Sequence, residues 1–189
     1  MARNIEIKAR IENVQTFALN VAAIADEGPI EIVQDDTFFR CESGRLKLRA
    51  FSKEKGELIF YRRADQRGPK ESFFLVSPTS TPDTLRESLS LAYGQAGRVE
   101  KRRTLFLVGR TRVHLDQVKG LGHFMELEVV LEQGEPAEEG IREAHALMAK
   151  LSVQPSQLIE GAYVDLLAQN ASNPRAETDA RESSARGSP

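Results

Sequence analysis

The stretch Asn4-Ile5-Glu6-Ile7-Lys8-Ala9-Arg10-Ile11 decides the fold. Even positions are polar or charged and odd positions are apolar, the period-2 signature of a strand with two unlike faces. The alternation returns in Arg45-Leu46-Lys47-Leu48-Arg49, in Arg112-Val113-His114-Leu115-Asp116 and in Glu126-Leu127-Glu128-Val129. An ordinary solvated strand face mixes signs and includes Ser, Thr and Gln. Here one strand offers only Arg and Lys, and another offers only Glu. Charges sorted in this way point to a shared ligand.

Working outward, strand patterns cover 3–12, 30–41, 44–52, 57–65, 71–77, 99–109, 111–118 and 123–132, with Gly44, Gly56 and the Gly109-Arg110 step at turns. The connections are mostly short, which favours antiparallel neighbours. Four helices are expected. One is capped by Asn13 and ends near Gly28-Pro29; one starts at Thr81-Pro82-Asp83, one at Pro136 and one at Pro155-Ser156, the last carrying Leu158 to Leu167. The expected fold class is α+β, an antiparallel sheet of about eight strands curled into a closed barrel with flanking helices. The pattern leaves open which face points inward. Either the apolar faces form the core and the charges meet water, or the lumen is polar and helices cover an apolar outer wall.

The chain has 189 residues, enough for one domain with a full core. A formal net charge of -2 gives no global basic field, so nucleic acid is not an expected partner. Cys41 is the only cysteine, which excludes an internal disulfide and a cysteine-based zinc site. No apolar run approaches 18 residues, and Met1-Ala2-Arg3-Asn4 leads directly into a strand pattern. A cytoplasmic protein with no membrane partner is therefore expected. From Ala171 to Pro189 there is no aromatic residue and no Leu, Ile or Val, so 171–189 is expected to be a disordered tail on a domain of about 1–170.

Glu126 and Glu128 share one strand face, and with Glu6 they offer three hard oxygen donors suited to Mg²⁺ or Mn²⁺. Spacing alone equally allows a solvated acidic face. Lys47 with Arg49, Lys101 with Arg103, Lys8 with Arg10, and Arg112 are basic faces of the same kind, and Arg45 extends one of them. If they converge, six or more cations surround one volume and need an anion such as a triphosphate; if not, each pairs with an acid on a neighbouring strand. Asp116 is a base, a metal ligand or simply a partner of Arg112. His114, between Arg112 and Asp116 in the alternation, lines the same volume or is structural. His123 and His145 show no ligand spacing, and Tyr163 with Asp165 reads as a packing and capping pair. No Walker-type loop, GxGxxG or Ser/His/Asp elbow is present.

In these residues the chain resembles the CYTH superfamily, the class IV adenylyl cyclases and thiamine triphosphatases, also called triphosphate tunnel metalloenzymes. The family's first-strand E-x-E-x-K reads Asn4-Ile5-Glu6-Ile7-Lys8. Further matches are Gln34-Asp35-Asp36-Thr37-Phe38-Phe39, Gly44-Arg45-Leu46-Lys47-Leu48-Arg49, Leu58-Ile59-Phe60-Tyr61-Arg62-Arg63 and Val99-Glu100-Lys101-Arg102-Arg103. Then come Thr111 to Asp116, Glu126 to Val129 and Ala162 to Leu167, so the similarity runs in order across roughly 2–168.

The resemblance implies an eight-stranded tunnel with a charged lumen, which favours the polar-lumen alternative. It implies Glu6, Glu126 and Glu128 as ligands of Mg²⁺ or Mn²⁺. Lys8, Lys47, Arg49, Arg63, Lys101, Arg103 and Arg112 become triphosphate contacts, and Asp116, Lys101 and Arg103 stand nearest the reacting phosphate. The implied substrate is a small-molecule triphosphate: ATP, tripolyphosphate or thiamine triphosphate. The implied activity is adenylyl cyclase of class IV type, giving cyclic AMP and pyrophosphate, with a triphosphatase as the alternative; a homodimer is compatible with it. Asn4 departs from the signature by replacing its first glutamate, which weakens the expectation of a second metal and keeps open a non-catalytic module that only binds triphosphate.

Overall fold

The computed structural model describes residues 2–172. Eight antiparallel strands close on themselves in the order β1-β5-β4-β3-β2-β6-β7-β8. They are β1 (Ala2–Arg10), β2 (Glu27–Phe39), β3 (Arg45–Ala50), β4 (Gly56–Arg63), β5 (Lys70–Thr79), β6 (Gln95–Val108), β7 (Thr111–Val118) and β8 (Gly122–Val130). The helices are α1 (Val14–Ala22), α2 (Pro82–Tyr93), α3 (Ala137–Lys150) and α4 (Tyr163–Ser172). The closed barrel with its helices is the α+β fold expected from the strand pattern, in the tunnel form that the resemblance implies.

In the sector formed by β1, β7 and β8 the wall is apolar outside and polar inside. Ile5, Ile7 and Ala9 of β1 are fully buried on the outer face with Val113, Leu115, Met125, Leu127 and Val129 of β7 and β8, in the cluster that takes in Val21 of α1 and Ala144, Leu147 and Met148 of α3. Burying one such branched side chain contributes about 1.5–3 kcal/mol, so this sector of the wall and its helices form the main core. Gly140 lets α3 come close: a Cβ there would stand 2.6 Å from Ile5 Cγ1 and 2.7 Å from Leu131 Cδ2.

A second cluster joins lumen-facing Phe38, Val99, Val118 and Phe124 to Ala162, Tyr163 and Val164. These positions lie where β2 and β7 end and β6 and β8 begin, so α4 and the turn before it close that end of the tunnel.

Two helix expectations need correction. The first helix stops at Ala22, with Asn13 Oδ1 capping the Thr16 amide, and Gly28-Pro29 lies inside β2, because pairing with β6 begins already at Glu27 opposite Leu107. The fourth helix does not start at Pro155. Pro155–Gln157 is a single 3₁₀ turn, and residues 158–162 are irregular before α4, with a bridge at Leu158 and a bend at Gly161. The reason lies on β1, whose pairing with β5 ends at Glu6. Beyond that point the strand's carbonyls need donors. The Ile159 amide donates to Lys8 O at 3.0 Å, Gln157 Nε2 donates to Arg10 O at 3.1 Å, and Leu158 bridges Ala9. Ala171 and Ser172, placed by the sequence in the tail, close α4; the remainder of that expected tail, 173–189, lies outside the described residues.

Candidate active site

The closed ring turns sequence spacing into register. Glu6 stands opposite Glu128 and Lys8 opposite Glu126 across β1–β8; Arg112 stands opposite Glu128 and His114 opposite Glu126 across β7–β8. Arg103 faces Asp116 across β6–β7, and Asp36 faces Arg49 across β2–β3.

All of these side chains except His114 and Asp116 line a cavity of about 360 Å³. Ten of the eleven residues to which the resemblance gives a role line it: Glu6, Lys8, Lys47, Arg49, Arg63, Lys101, Arg103, Arg112, Glu126 and Glu128. Asp116 does not. It is wholly buried behind the lining, and its oxygens are taken by Lys101 Nζ at 2.8 Å, Arg103 Nε and Nη2 at 2.6 Å each, and Tyr163 Oη at 3.0 Å. Arg45 and Arg10 leave the basic set. Arg45 binds Asp65 and Asp165, and Arg10 donates to Leu121 O and lies over the Phe124 ring.

The acids in the lumen are engaged by cations. Glu126 holds Lys8 Nζ at 3.0 Å and Arg103 Nη2 at 2.6 Å, Glu6 holds Arg63 Nη1 at 2.6 Å, and Glu128 meets Arg112 at 3.7 Å. Buried charges persist only when paired in this way. The donor atoms of His114, Glu126 and Glu128 fall within 4.8 Å of one another, a spacing that a single cation can bridge. The Glu6 carboxylate is not in that group.

Sequence reasoning assigned no role to two buried residues of this region, Asp36 and Lys70, and only packing to a third, Tyr163. Asp36 receives Arg49 Nε and Nη2 and Lys47 Nζ, each at 2.8 Å; its parity with Gln34 and Phe38 on β2 was the available signal. Lys70, opposite Glu6, has only Gln66 O at 3.2 Å as hydrogen-bond partner. Tyr163 does more than pack: Lys8 Nζ sits 3.8 Å above its ring centroid and Lys101 Nζ at 5.0 Å. Its neighbour Asp165 does cap, accepting from the Ala162 amide at 2.9 Å.

Proton affinities follow from burial and pairing. Burial alone would raise the carboxyls of Asp36 and Asp116. Arg49 with Lys47, and Arg103 with Lys101, outweigh it and hold both well below the usual carboxylate range. Burial, aided by the Arg49 charge, lowers Lys47 to about 8; burial and Arg63 lower Lys70 to about 8. Burial and Arg103 lower the His114 imidazole, which is therefore mainly neutral near pH 7.

Residues 2–163 match the CYTH domain, and the chain belongs to that family. It is 24% identical over 174 residues to the adenylate cyclase CyaB of Aeromonas hydrophila, across 88% of this chain and 89% of that one. Its fold is similar to the PH1012 protein of Pyrococcus horikoshii OT3, with a TM-score of 0.77 at 22% identity over 87% of this chain and 99% of that one. HpAC1 from Hippeastrum, described as revealing a dominant triphosphatase activity, superposes with a TM-score of 0.63 at 15% identity over 88% of this chain and 96% of its own. Among the described residues no helix is long and apolar enough to cross a membrane.

Proposed function

We propose that this chain is a divalent-metal-dependent enzyme acting on an organic triphosphate, and that its reaction is the conversion of ATP to cyclic AMP and pyrophosphate. The observation that carries the reading is the convergence of seven basic side chains on one cavity that also holds Glu6, Glu126 and Glu128. Such a cluster repels itself and calls for a polyanion.

The lumen is also two-sided. Ile59, Phe74 and Val76 line it toward the end opposite Tyr163, and Val76 is exposed there. An apolar surface beside the open end suits the nucleoside part of a substrate whose phosphates lie deeper among the cations. Inorganic tripolyphosphate has no use for it, which favours an organic triphosphate as the substrate.

Glu126 and Glu128, with Glu6, would hold Mg²⁺ or Mn²⁺, which supplies charge neutralisation at the phosphates. Lys8, Lys47, Arg49 and Arg63 bind and orient the chain, and Lys101 and Arg103 meet the charge that develops as the ribose 3′-oxygen attacks the α-phosphorus and the bond to the departing pyrophosphate breaks. Asp116 is read as a positioning residue. Its oxygens already hold Lys101, Arg103 and Tyr163, which leaves it poorly placed to accept the 3′-hydroxyl proton.

The test is product analysis by ³¹P NMR and chromatography, with ATP or tripolyphosphate and either Mg²⁺ or Mn²⁺. Cyclic AMP and pyrophosphate in equal amounts are expected from ATP. Orthophosphate as the main product from both substrates would replace the cyclase by a triphosphatase, and tight tripolyphosphate binding without turnover would leave a binding module.

A further inference from the structure

The metal-dependent reading above, on which this inference rests, uses oxygen donors only. The lumen carries another kind. His114 lies on β7 between Arg112 and Asp116 in the inward-facing alternation, is 5% exposed, and stands directly opposite Glu126. Its Nδ1 is buried and makes no hydrogen bond; the carboxylate beside it, Glu128 Oε1, is 3.4 Å away. Buried ring nitrogens nearly always have a partner, so one that makes no hydrogen bond beside the carboxylates that line the lumen marks a place where something else binds.

The surroundings say what that is. One donor atom from each of His114, Glu126 and Glu128 falls within 4.8 Å of the others. The grouping follows from the ladder: His114 is the cross-strand neighbour of Glu126 and the diagonal neighbour of Glu128, which long side chains reach easily. On the opposite side of β8, strand β1 contributes less. Position 4 is a neutral asparagine, and the Glu6 carboxylate lies outside the group.

We propose that His114 is itself a metal ligand, so that this chain's cation site is a mixed nitrogen–oxygen centre of His114, Glu126 and Glu128 that prefers Mn²⁺ or Co²⁺ to Mg²⁺. Mg²⁺ takes oxygen donors and water, whereas imidazole suits the first-row transition ions and gains strength along their series. An all-oxygen site would discriminate far less between these ions.

The experiment uses the full chain and the metals alone, without substrate. Pulsed EPR of the Mn²⁺-loaded protein, prepared with natural-abundance and with ¹⁵N-histidine, reads directly bound imidazole nitrogen. A histidine coupling is expected in the native chain and its loss in His114→Gln. His123 Nδ1 is engaged at Glu12 O, so it serves as the control variant His123→Gln, in which the coupling persists. Calorimetric affinities give the second arm. Even outer partners of metal ligands change affinity by about 10- to 100-fold when removed, so His114→Gln is expected to lose at least tenfold for Co²⁺ and Mn²⁺ while Mg²⁺ changes much less. The native-chain spectrum needs no variant, so a poorly folding His114→Gln leaves the test intact. Absence of histidine coupling in the Mn²⁺-loaded native chain, or equal affinity losses for Mg²⁺ and Co²⁺, would overturn the assignment and make His114 an outer partner of Glu128, with the metal-dependent function untouched. Failure of any divalent ion to bind would remove both.

Discussion

Asp36 grips Arg49 with both carboxylate oxygens, each at 2.8 Å, and on the same lumen wall receives Lys47. Asp116 does the same for Arg103 and Lys101. The two modules share one construction. A Lys-x-Arg pair faces the lumen from β3 or β6, and a buried aspartate on the adjacent strand, β2 or β7, faces the arginine across the ladder. Each aspartate offsets part of the repulsion between its cations and fixes their direction, while leaving the assembly short of negative charge. A bound triphosphate supplies the remainder.

Asp36→Asn therefore strips a carboxylate from two buried cations. Removing one partner of a buried pair costs about 3–5 kcal/mol, and Asp36→Asn should destabilise the apo protein by that order in urea unfolding. Because the Asp36 carboxyl is held well below its usual range, its stabilising contribution is full above the ordinary carboxylate range and is lost as pH falls below it. Native and variant stabilities should thus converge in acid. Tripolyphosphate should recover part of the loss at neutral pH. A variant as stable as the native chain at pH 7 would refute the counter-ion role.

Lys47 predicts a pH dependence of binding. Its ammonium is lowered to about 8 against an ordinary 10.5, so the fold disfavours the charged form. In the apo protein the cost is full below pH 8, and stability from this group rises as pH climbs from 8 to 10.5. Binding runs the other way, because phosphate needs the proton. Triphosphate affinity should fall as pH rises through 8, and at pH 8–9 binding should take up protons, measurable by calorimetry in buffers of different ionisation enthalpy. Lys47→Arg should flatten the curve, with the remaining slope arising from Lys8 and Lys101, the other buried ammonium groups of the cavity, which burial also lowers.

How much of this was legible beforehand depends on distance along the chain. The alternation in Asn4 to Ile11 and in Glu126 to Val129 is local, so strands and the sorting of charge could be read directly. The direction of the faces could not, because a polar lumen and a polar exterior produce the same period. Resemblance to a tunnel family settled on the lumen, and the structure agrees. Asp36, Lys70 and Tyr163 were missed for another reason. Their roles exist only once β2 meets β3, β5 meets β1, and the segment after the 3₁₀ turn crosses the tunnel end. The helix expected from Pro155 fails on the same ground: propensity favoured it, but the unpaired end of β1 recruits Leu158 and Ile159.

Glu126 and Glu128 are neighbours on one face yet should respond differently to amidation. Glu126 holds Lys8 and Arg103 at 3.0 and 2.6 Å, whereas the partners of Glu128 stand at 3.4 and 3.7 Å. Glu126→Gln should lower stability markedly, and Glu128→Gln clearly less. Both should reduce metal-dependent turnover by about 100-fold or more, the scale seen when a preorganised electrostatic group is removed. Glu128→Gln is thus the cleaner probe of the metal, and full activity in it would detach that carboxylate from the site.

Gly140 tests the outer wall independently of the lumen. In Gly140→Ala the new methyl meets Ile5 Cγ1 at 2.6 Å and Leu131 Cδ2 at 2.7 Å, and Ile5 has no exposed surface into which to retreat. Overpacking of this kind costs about 1–3 kcal/mol. Alanine returns up to about 1 kcal/mol through its higher helix propensity, so the net is a loss. At about 2–4 °C per kcal/mol for a domain of this size, Tm should fall by a few degrees. Ile5 lies on the opposite face of β1 from Glu6 and Lys8, so tripolyphosphate affinity should be unchanged. A rise in Tm would mean that α3 shifts outward freely; a parallel loss of affinity would mean that the wall transmits the strain to the charged face.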